Sequence, residues 1–191
     1  MNATYMRARS LSGRPVVTLG GEDVAQIKDT IFRTEDASID GFTLSGRGLL
    51  SGPLKATLSW ENVHHLGPDA VMIRDEDALT DQGATAGQGD TGGNVLGGRA
   101  VSEDGVDLGE IVDVVLEVSD IRQAHVAGLD IAPSGTMWPS SKHMLLPLPG
   151  PTAASGDVVI IPDSALRYAT PEPRDFPDAL QTLRTTAEGG T

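Results

Sequence analysis

Short runs of apolar residues recur along the chain, with glycine, proline or aspartate turn signals between them. Runs of this kind, spaced about 8 to 12 residues apart, are typical of small β-sandwiches and barrels. The longest predicted strand extends from Ile111 to Val118, and shorter ones cover Ile39–Ser45, Lys55–Leu58 and Val71–Ile73. The pattern therefore predicts an all-β fold.

Turn residues refine this prediction. Gly20-Gly21 and Asp104-Gly105 are hairpin signals, because both positions of each pair tolerate positive φ angles. Ser59–Leu66 has the residues of a short helical turn, with Ser59 as a plausible cap. Strict alternation divides the longest strand into two faces, one with Val112, Val114, Leu116 and Val118 and the other with Ile111, Asp113, Val115 and Glu117.

Aligned segments indicate an internal duplication. Leu11–Val16 resembles Leu96–Val101, which lies 85 positions later. Three further pairs follow in the same order: Gln26–Asp29 with Glu110–Asp113, Ile39–Phe42 with Val126–Leu129, and Leu58–Ile73 with Leu146–Ile161. Four matching blocks in one order rarely arise by chance, so we expect two copies of one unit. Each copy is predicted to hold five or six strands and one short helical turn.

The duplication sets the predicted domain boundaries. Residues 5–80 form the first domain and residues 94–170 the second. Residues 81–93 hold five glycines and no large apolar side chain, so they are predicted to be a flexible linker. Residues 171–191 are predicted to be a disordered tail, although Phe176–Leu183 could form a helical turn or two.

The aligned blocks resemble the PRC-barrel family, which is named after the H subunit of the photosynthetic reaction centre and occurs also in ribosome-maturation proteins. The matching segments are Leu11–Val16, Ile27–Ile31, Leu58–Val63 and Gly67–Ile73 in the first copy, and Gly105, Leu108–Asp113 and Gly156–Ile161 in the second. The resemblance implies two small SH3-like β-barrels in tandem that dock other proteins. It carries over no general catalytic motif.

Charge and composition narrow the possible partners. The formal net charge of −13 opposes binding to phosphate backbones and to anionic membrane surfaces, and it would attract a basic protein. We therefore expect a protein partner and no direct contact with nucleic acid. The chain has no cysteine, no apolar signal-peptide segment and no stretch long enough to span a membrane. We expect a cytoplasmic protein without membrane insertion.

Two acidic or glycine-rich strings resemble ligand motifs only superficially. Gly87–Gly92 matches the G-x-G-x-x-G pattern of dinucleotide sites, but it lacks the preceding strand and the following helix that such a site needs. Asp75–Asp81 is acidic enough to suggest calcium, but Leu79 stands where an EF-hand loop requires an oxygen ligand. Neither segment predicts a cofactor.

Histidines and repeated aspartates give no catalytic pattern either. His64 and His65 are adjacent, and neighbours on a helical turn point about 100° apart, so they would not easily share one metal ion. Asp29 and Asp113 occupy equivalent places in the two copies, which favours a structural role. We expect no metal, no cofactor and no enzymatic activity.

Two loops are candidate binding surfaces. Met137 and Trp138 have no close match in the first copy, and at a loop tip they would anchor a partner unless they fold back over their own barrel. Arg47, Gly48 and Lys55 form a candidate anion loop. The leading hypothesis is a non-catalytic protein-interaction module. The alternative is a small-ligand or anion sensor that uses the loop from residue 46 to 55 or the cleft between the barrels.

Overall fold

The structure, a computed structural model, describes residues 4–33, 38–47, 52–81, 95–120, 123–134, 137–138, 141–150, 152, 154–155 and 157–188. Within these ranges fourteen strands form: β1 (Thr4–Arg7), β2 (Pro15–Thr18), β3 (Asp23–Phe32), β4 (Ile39–Ser45), β5 (Pro53–Ser59), β6 (Val63–Leu66), β7 (Val71–Ile73), β8 (Leu79–Asp81), β9 (Arg99–Ser102), β10 (Asp107–Asp120), β11 (Gln123–Pro133), β12 (Met144–Pro147), β13 (Ala154–Ser155) and β14 (Val158–Ile161). The described helical elements are α1 (Asp163–Leu166), α2 (Phe176–Glu188) and three 3-10 turns at Ala8–Leu11, Trp60–Asn62 and Glu76–Ala78.

The strands form two sheets of seven, one in each half of the chain. The first sheet has the order β6-β7-β2-β3-β4-β5-β8, and the second has the order β12-β11-β10-β9-β14-β13 with β1 added against β10. Each sheet contains one parallel pair at the corresponding place, β2 with β7 and β9 with β14. The predicted all-β fold is confirmed, and both sheets hold one strand more than the upper expectation.

The first hairpin turn of each sheet has the same geometry. The amide of Gly21 donates a hydrogen bond to the Thr18 carbonyl at 2.9 Å, and the amide of Gly105 donates to the Ser102 carbonyl at 2.9 Å. The two glycines have φ angles of 87° and 80°, a region that side chains with a Cβ rarely adopt. The turn signals in the sequence therefore mark real hairpins.

Bulges change the predicted faces of the long strand β10. Its register against β11 shifts between Ile111 and Asp113, at the place where β3 shifts between Ile27 and Asp29. The shift brings Ile111 onto the core side together with Val114 and Leu116. The strict alternation predicted for Ile111–Val118 is therefore wrong, because a bulge resets the side-chain phase.

The two halves meet through equivalent positions. Ser38 forms an antiparallel bridge with His125, and these residues precede the aligned segments that begin at Ile39 and Val126. One hydrophobic cluster runs through both halves, so the two sheets share a core.

Strand β1 crosses from the first half to the second. Thr4 pairs with Val118 and Arg7 pairs with Val115, both on β10. The start of the predicted first domain, residues 5–80, therefore pairs with the second sheet. Side chains of the strand itself support this placement, because Arg7 and Tyr5 have their partners on the second sheet.

The predicted disordered tail, residues 171–191, is also wrong over most of its length. Thr170 exchanges two backbone hydrogen bonds with Leu145, at 2.8 and 3.0 Å, and α2 follows. Phe176, Leu180 and Leu183 recur at helical spacing and are buried. The apolar face of α2 covers the outer side of the second sheet, which a composition-based interpretation of the tail missed.

The predicted helical turn at Ser59–Leu66 is only half present. Trp60–Asn62 forms a 3-10 turn, and Ser59 makes no side-chain capping bond. The chain then enters β6, in which Val63 pairs with Ile73 of β7. Pairing with a neighbouring strand outweighed the local helical signal, because strand ladders satisfy the backbone groups.

Candidate functional site

The two residues of the candidate partner surface, Met137 and Trp138, differ in exposure. Met137 is 44% exposed, whereas Trp138 is half-buried and packs against the main hydrophobic cluster. The Trp138 carbonyl accepts a hydrogen bond from the Ser141 amide at 3.1 Å. Trp138 thus anchors the loop to its own barrel and leaves Met137 as the apolar group that faces outward.

The start of this loop is held by polar contacts to β10. The Ser134 amide donates to the Leu108 carbonyl at 3.0 Å, and the Ser134 hydroxyl donates to Asp107 Oδ2 at 2.6 Å. The Ser134 hydroxyl, with help from Arg99, lowers the pKa of Asp107 below its ordinary value. Val106, next to Asp107, is a second exposed apolar residue at this end of the second sheet.

The candidate anion loop is described only in part. Arg47 follows β4 and is exposed, and Lys55 is an exposed residue within β5. The Gly46 amide donates to the Gly52 carbonyl at 3.1 Å, which closes the base of the loop. Gly48 lies outside the described residues, so the anion site stays a prediction. The string Gly87–Gly92, which predicted no cofactor, also lies outside them.

The fold brings the two adjacent histidines and the acidic segment after β7 to one place, here named the first-half cleft. Its volume is about 920 Å³, and its lining includes His64, His65, Asp75 and Asp77. A register shift between Val63 and His65 makes His64 a bulged residue, so neighbouring histidines both face solvent. Their placement on a strand replaces the helical turn that we expected.

Four more features complete the first-half cleft. Glu61 and Arg74 line it and are exposed, while Trp60 lies beside it and is buried against Phe42, with ring centroids 5.9 Å apart. Asn62 Nδ2 donates to the Ala78 carbonyl at 3.0 Å and ties the two walls together. Sequence reasoning missed Arg74 and Glu61 because they are far apart in the chain and meet only through the β6–β7 hairpin.

A buried carboxylate in the second sheet joins the two halves. Asp130 is 1% exposed; its Oδ2 lies 2.7 Å from the Arg7 guanidinium and its Oδ1 lies 3.3 Å from His143 Nδ1. Burial raises the pKa of Asp130, although Arg7 and His143 oppose the rise. Asp113 lies opposite on the neighbouring strand and adds to it.

The repeated aspartates have different environments. Asp113 is buried, and its Oδ1 accepts hydrogen bonds from the Arg9 amide at 3.1 Å and the Val114 amide at 2.8 Å. Asp29 is exposed and lies 3.5 Å from the Lys28 ammonium. Only the second copy uses this position to hold the chain segment that connects the halves.

Glu117, which lies on β10 like Asp113, links β1 and α2 to the second sheet. It accepts a hydrogen bond from the Tyr5 hydroxyl at 3.2 Å and one from Arg184 of α2 at 2.7 Å. Burial disfavours its charged form, but Arg184 outweighs that effect and lowers the pKa of Glu117. Burial and the nearby Glu117 raise the pKa of Tyr5. Within the described ranges, no three histidine or acidic side chains are placed to hold a metal ion.

Comparison with known proteins gives one match. The PRC-barrel domain matches residues 3–79, which is less than half of the chain and includes strand β1. A search of curated proteins found no match. No helix in the described part of the chain is long and apolar enough to cross a membrane. Residues 3–79 therefore carry the PRC-barrel match, and a β-barrel is the fold of that domain.

Proposed function

We propose that the chain is a non-catalytic protein-interaction module built from two PRC-type barrels, the second formed by residues 95–170. Three features support the second copy: the corresponding strand order, the matching turns at Gly21 and Gly105, and the bridge between Ser38 and its counterpart His125. The loops of a small barrel are suited to binding a partner, because binding residues are often found on loops that a rigid scaffold holds in position.

The exposure of Met137 is the observation that carries the proposal. Met137 is 44% exposed, and a methionine adapts its shape to varied partners. Ser134 bonds to Asp107 and Trp138 packs against the main hydrophobic cluster, so described residues on both sides of Met137 contact the second half. The first half has no equivalent loop in the sequence alignment.

The expected partner is a protein with a basic surface. The net charge of −13 would speed the approach of such a partner and disfavour nucleic acid. The partner's contact on Met137 would be apolar, with the charges acting around it. This division of roles predicts binding that weakens at high salt but persists.

Photocrosslinking tests the proposal directly. A photoreactive amino acid replaces Met137 in one sample and Leu19 in a matched sample, because Leu19 is also a strongly exposed apolar residue, at 54%, and lies in the first half. In an extract of the source cell we expect a discrete crosslinked protein from position 137 and not from position 19. Met137→Asp should abolish capture of the same protein.

Three results would contradict the proposal. Identical crosslinks from positions 19 and 137 would indicate non-specific contact. Undiminished capture by Met137→Asp would remove the loop from the interface. Turnover of a small molecule by the purified protein would exclude a purely non-catalytic role.

A further inference from the structure

Charges of both signs converge on the first-half cleft without neutralising one another. Arg74 shares the cleft with Glu61, Asp75 and Asp77. Among the described residues, none of these four side chains takes part in an ion pair or a side-chain hydrogen bond. The cleft therefore offers one cationic group and three carboxylates that remain available to a ligand.

The ligand that matches these groups carries one negative and more than one positive charge. We propose that the first-half cleft binds a small basic zwitterion, of which a free basic amino acid is the simplest example. Its carboxylate pairs with Arg74, and its ammonium or guanidinium groups pair with Asp75, Asp77 and Glu61. Charge-assisted hydrogen bonds of this type are the strong ones in proteins, and a concave site screens them less than a flat surface does.

The size of the cleft fits a small molecule. Pockets that bind small ligands commonly measure about 300–1,000 Å³, and the first-half cleft measures about 920 Å³. The bond between Asn62 and Ala78 holds its walls in place without a ligand. A preformed site of this kind loses little free energy to ordering when it binds.

Trp60 adds a buried donor at the edge of the cleft. It is 7% exposed, and its indole nitrogen has no hydrogen-bond partner in the described part of the chain. Leaving a buried donor unpaired is energetically unfavourable. Trp60 lines the cleft, so a bound ligand would lie close to this indole.

The second half lacks most of the charged residues that line the first-half cleft. The Ile73 and Ile161 carbonyls accept equivalent hydrogen bonds, from Leu19 and Glu103, and so fix the alignment of the two halves around the cleft. At the cleft positions the second half has Leu148, Pro149, Thr152, Ala153, Pro162, Asp163 and Ala165 in place of Trp60, Glu61, His64, His65, Arg74, Asp75 and Asp77. Only one of six ionisable positions keeps its charge, so the cleft distinguishes the first barrel from the second.

Calorimetric titration of the full chain tests the proposal. The probes are L-lysine, L-arginine, L-glutamate and lysine methyl ester, at low ionic strength. We expect lysine and arginine to bind and glutamate not to bind. The methyl ester should bind at least about ten-fold more weakly than lysine, because it lacks the carboxylate.

Substitutions in the cleft test which residues bind the carboxylate of the ligand and which bind its cationic groups. Arg74→Gln should weaken lysine by about ten-fold or more but leave the ester unchanged, while Asp77→Asn should weaken both. Asp163→Asn is the matched control, since Asp163 is the retained carboxylate of the second half, and it should change nothing. Arg74 and Asp77 are exposed and Asp163 is partly exposed, so thermal unfolding should show intact folds.

A second readout uses the tryptophans. In a Trp138→Phe background Trp60 is the remaining indole, and lysine should alter its fluorescence with the same affinity as the heat signal. Absence of binding at millimolar lysine, equal binding of glutamate, or insensitivity to both Arg74→Gln and Asp77→Asn would overturn the proposal. The site is separate from Met137, so its failure would leave the crosslinking result intact.

Discussion

Arg7 lies 2.7 Å from Asp130, so a residue that precedes the first sheet neutralises a carboxylate at the centre of the second. The PRC-barrel match begins at residue 3, yet the strand that holds Arg7 is hydrogen-bonded to β10. A strand from the matched segment thus joins the second sheet. This pairing makes the two halves interdependent, and it leads to specific expectations about stability.

Removing the Arg7 side chain should destabilise the protein. Asp130 would remain buried opposite Asp113, with only His143 near it. Breaking a buried ion pair costs about 3–5 kcal/mol, but Arg7 is 46% exposed, so we expect about 1–2 kcal/mol for Arg7→Ala in urea unfolding. Arg9→Ala is the control, because Arg9 contacts Asp113 through its backbone amide and should cost little. Equal losses in both variants would contradict the assignment.

Glu117 should make stability sensitive to acid. Its pKa is lower in the folded protein than its ordinary value of 4.5, so the stability it contributes is present above that value and is lost as pH falls through the lower folded pKa. Glu117→Gln should therefore differ most from the parent protein near neutral pH and converge with it in acid. Denaturant unfolding at a series of pH values measures this difference.

The contribution of Asp130 to stability should depend on pH in the opposite direction to that of Glu117. Its pKa is raised above 3.8 on folding, so its contribution is largest in acid and is lost as pH rises through the raised folded pKa. The parent protein should gain stability relative to Asp130→Asn on acidification, while it loses stability relative to Glu117→Gln. Parallel trends in the two variants would show that these carboxylates do not have the environments described above.

A methyl group at Gly128 should be poorly tolerated. A Cβ there would overlap the Leu146 carbonyl oxygen and would lie 2.8 Å from the Phe176 ring. Neither the Leu146 backbone nor the packed Phe176 ring can move away easily. We therefore expect Gly128→Ala to lower the free energy of unfolding by about 3 kcal/mol. Gly52→Ala is the matched control, since nothing lies within 4 Å of its Cβ position. A neutral Gly128→Ala in thermal unfolding would mean that α2 does not pack here.

Truncating Phe176 should release the C-terminal helix. The ring is 1% exposed and makes an edge-on contact with Tyr5, with centroids 5.8 Å apart. Loss of a buried aromatic side chain costs about 3–5 kcal/mol. We expect Phe176→Ala to expose the amides of α2 to hydrogen exchange, whereas Thr182→Ala, on the exposed side, should leave them protected.

Local patterns predicted the elements whose partners are close in the chain. The strand Ile39–Ser45 was predicted with its observed ends, and the turns at Gly21 and Gly105 were predicted from their glycines. Both depend on a residue's own backbone preferences and on pairing with the next strand. The sequence left a bulge near Ile111 open without establishing it, because an extra residue in a ladder has no signature in the alternation of apolar positions.

The candidate sites show the same division. Met137 and Trp138 were predicted as a pair, but packing buries one of them against the core and leaves the other outside. The first-half cleft was invisible as a site, although His64, His65 and the acidic segment after β7 had been considered separately. Their assembly with Arg74 requires the β6–β7 hairpin and the 3-10 turns at its ends.

Alternating apolar residues and glycine turns determined an all-β chain by themselves, because they act over a few neighbouring residues. Tertiary structure alone decided that Thr4–Arg7 would join the second sheet and that α2 would cover it. Those choices depend on Arg7 meeting Asp130, on Glu117 accepting from Tyr5 and Arg184, and on Gly128 leaving room for Phe176. Such contacts join residues more than a hundred positions apart or on separate elements, so their free energies exist only once both halves have folded.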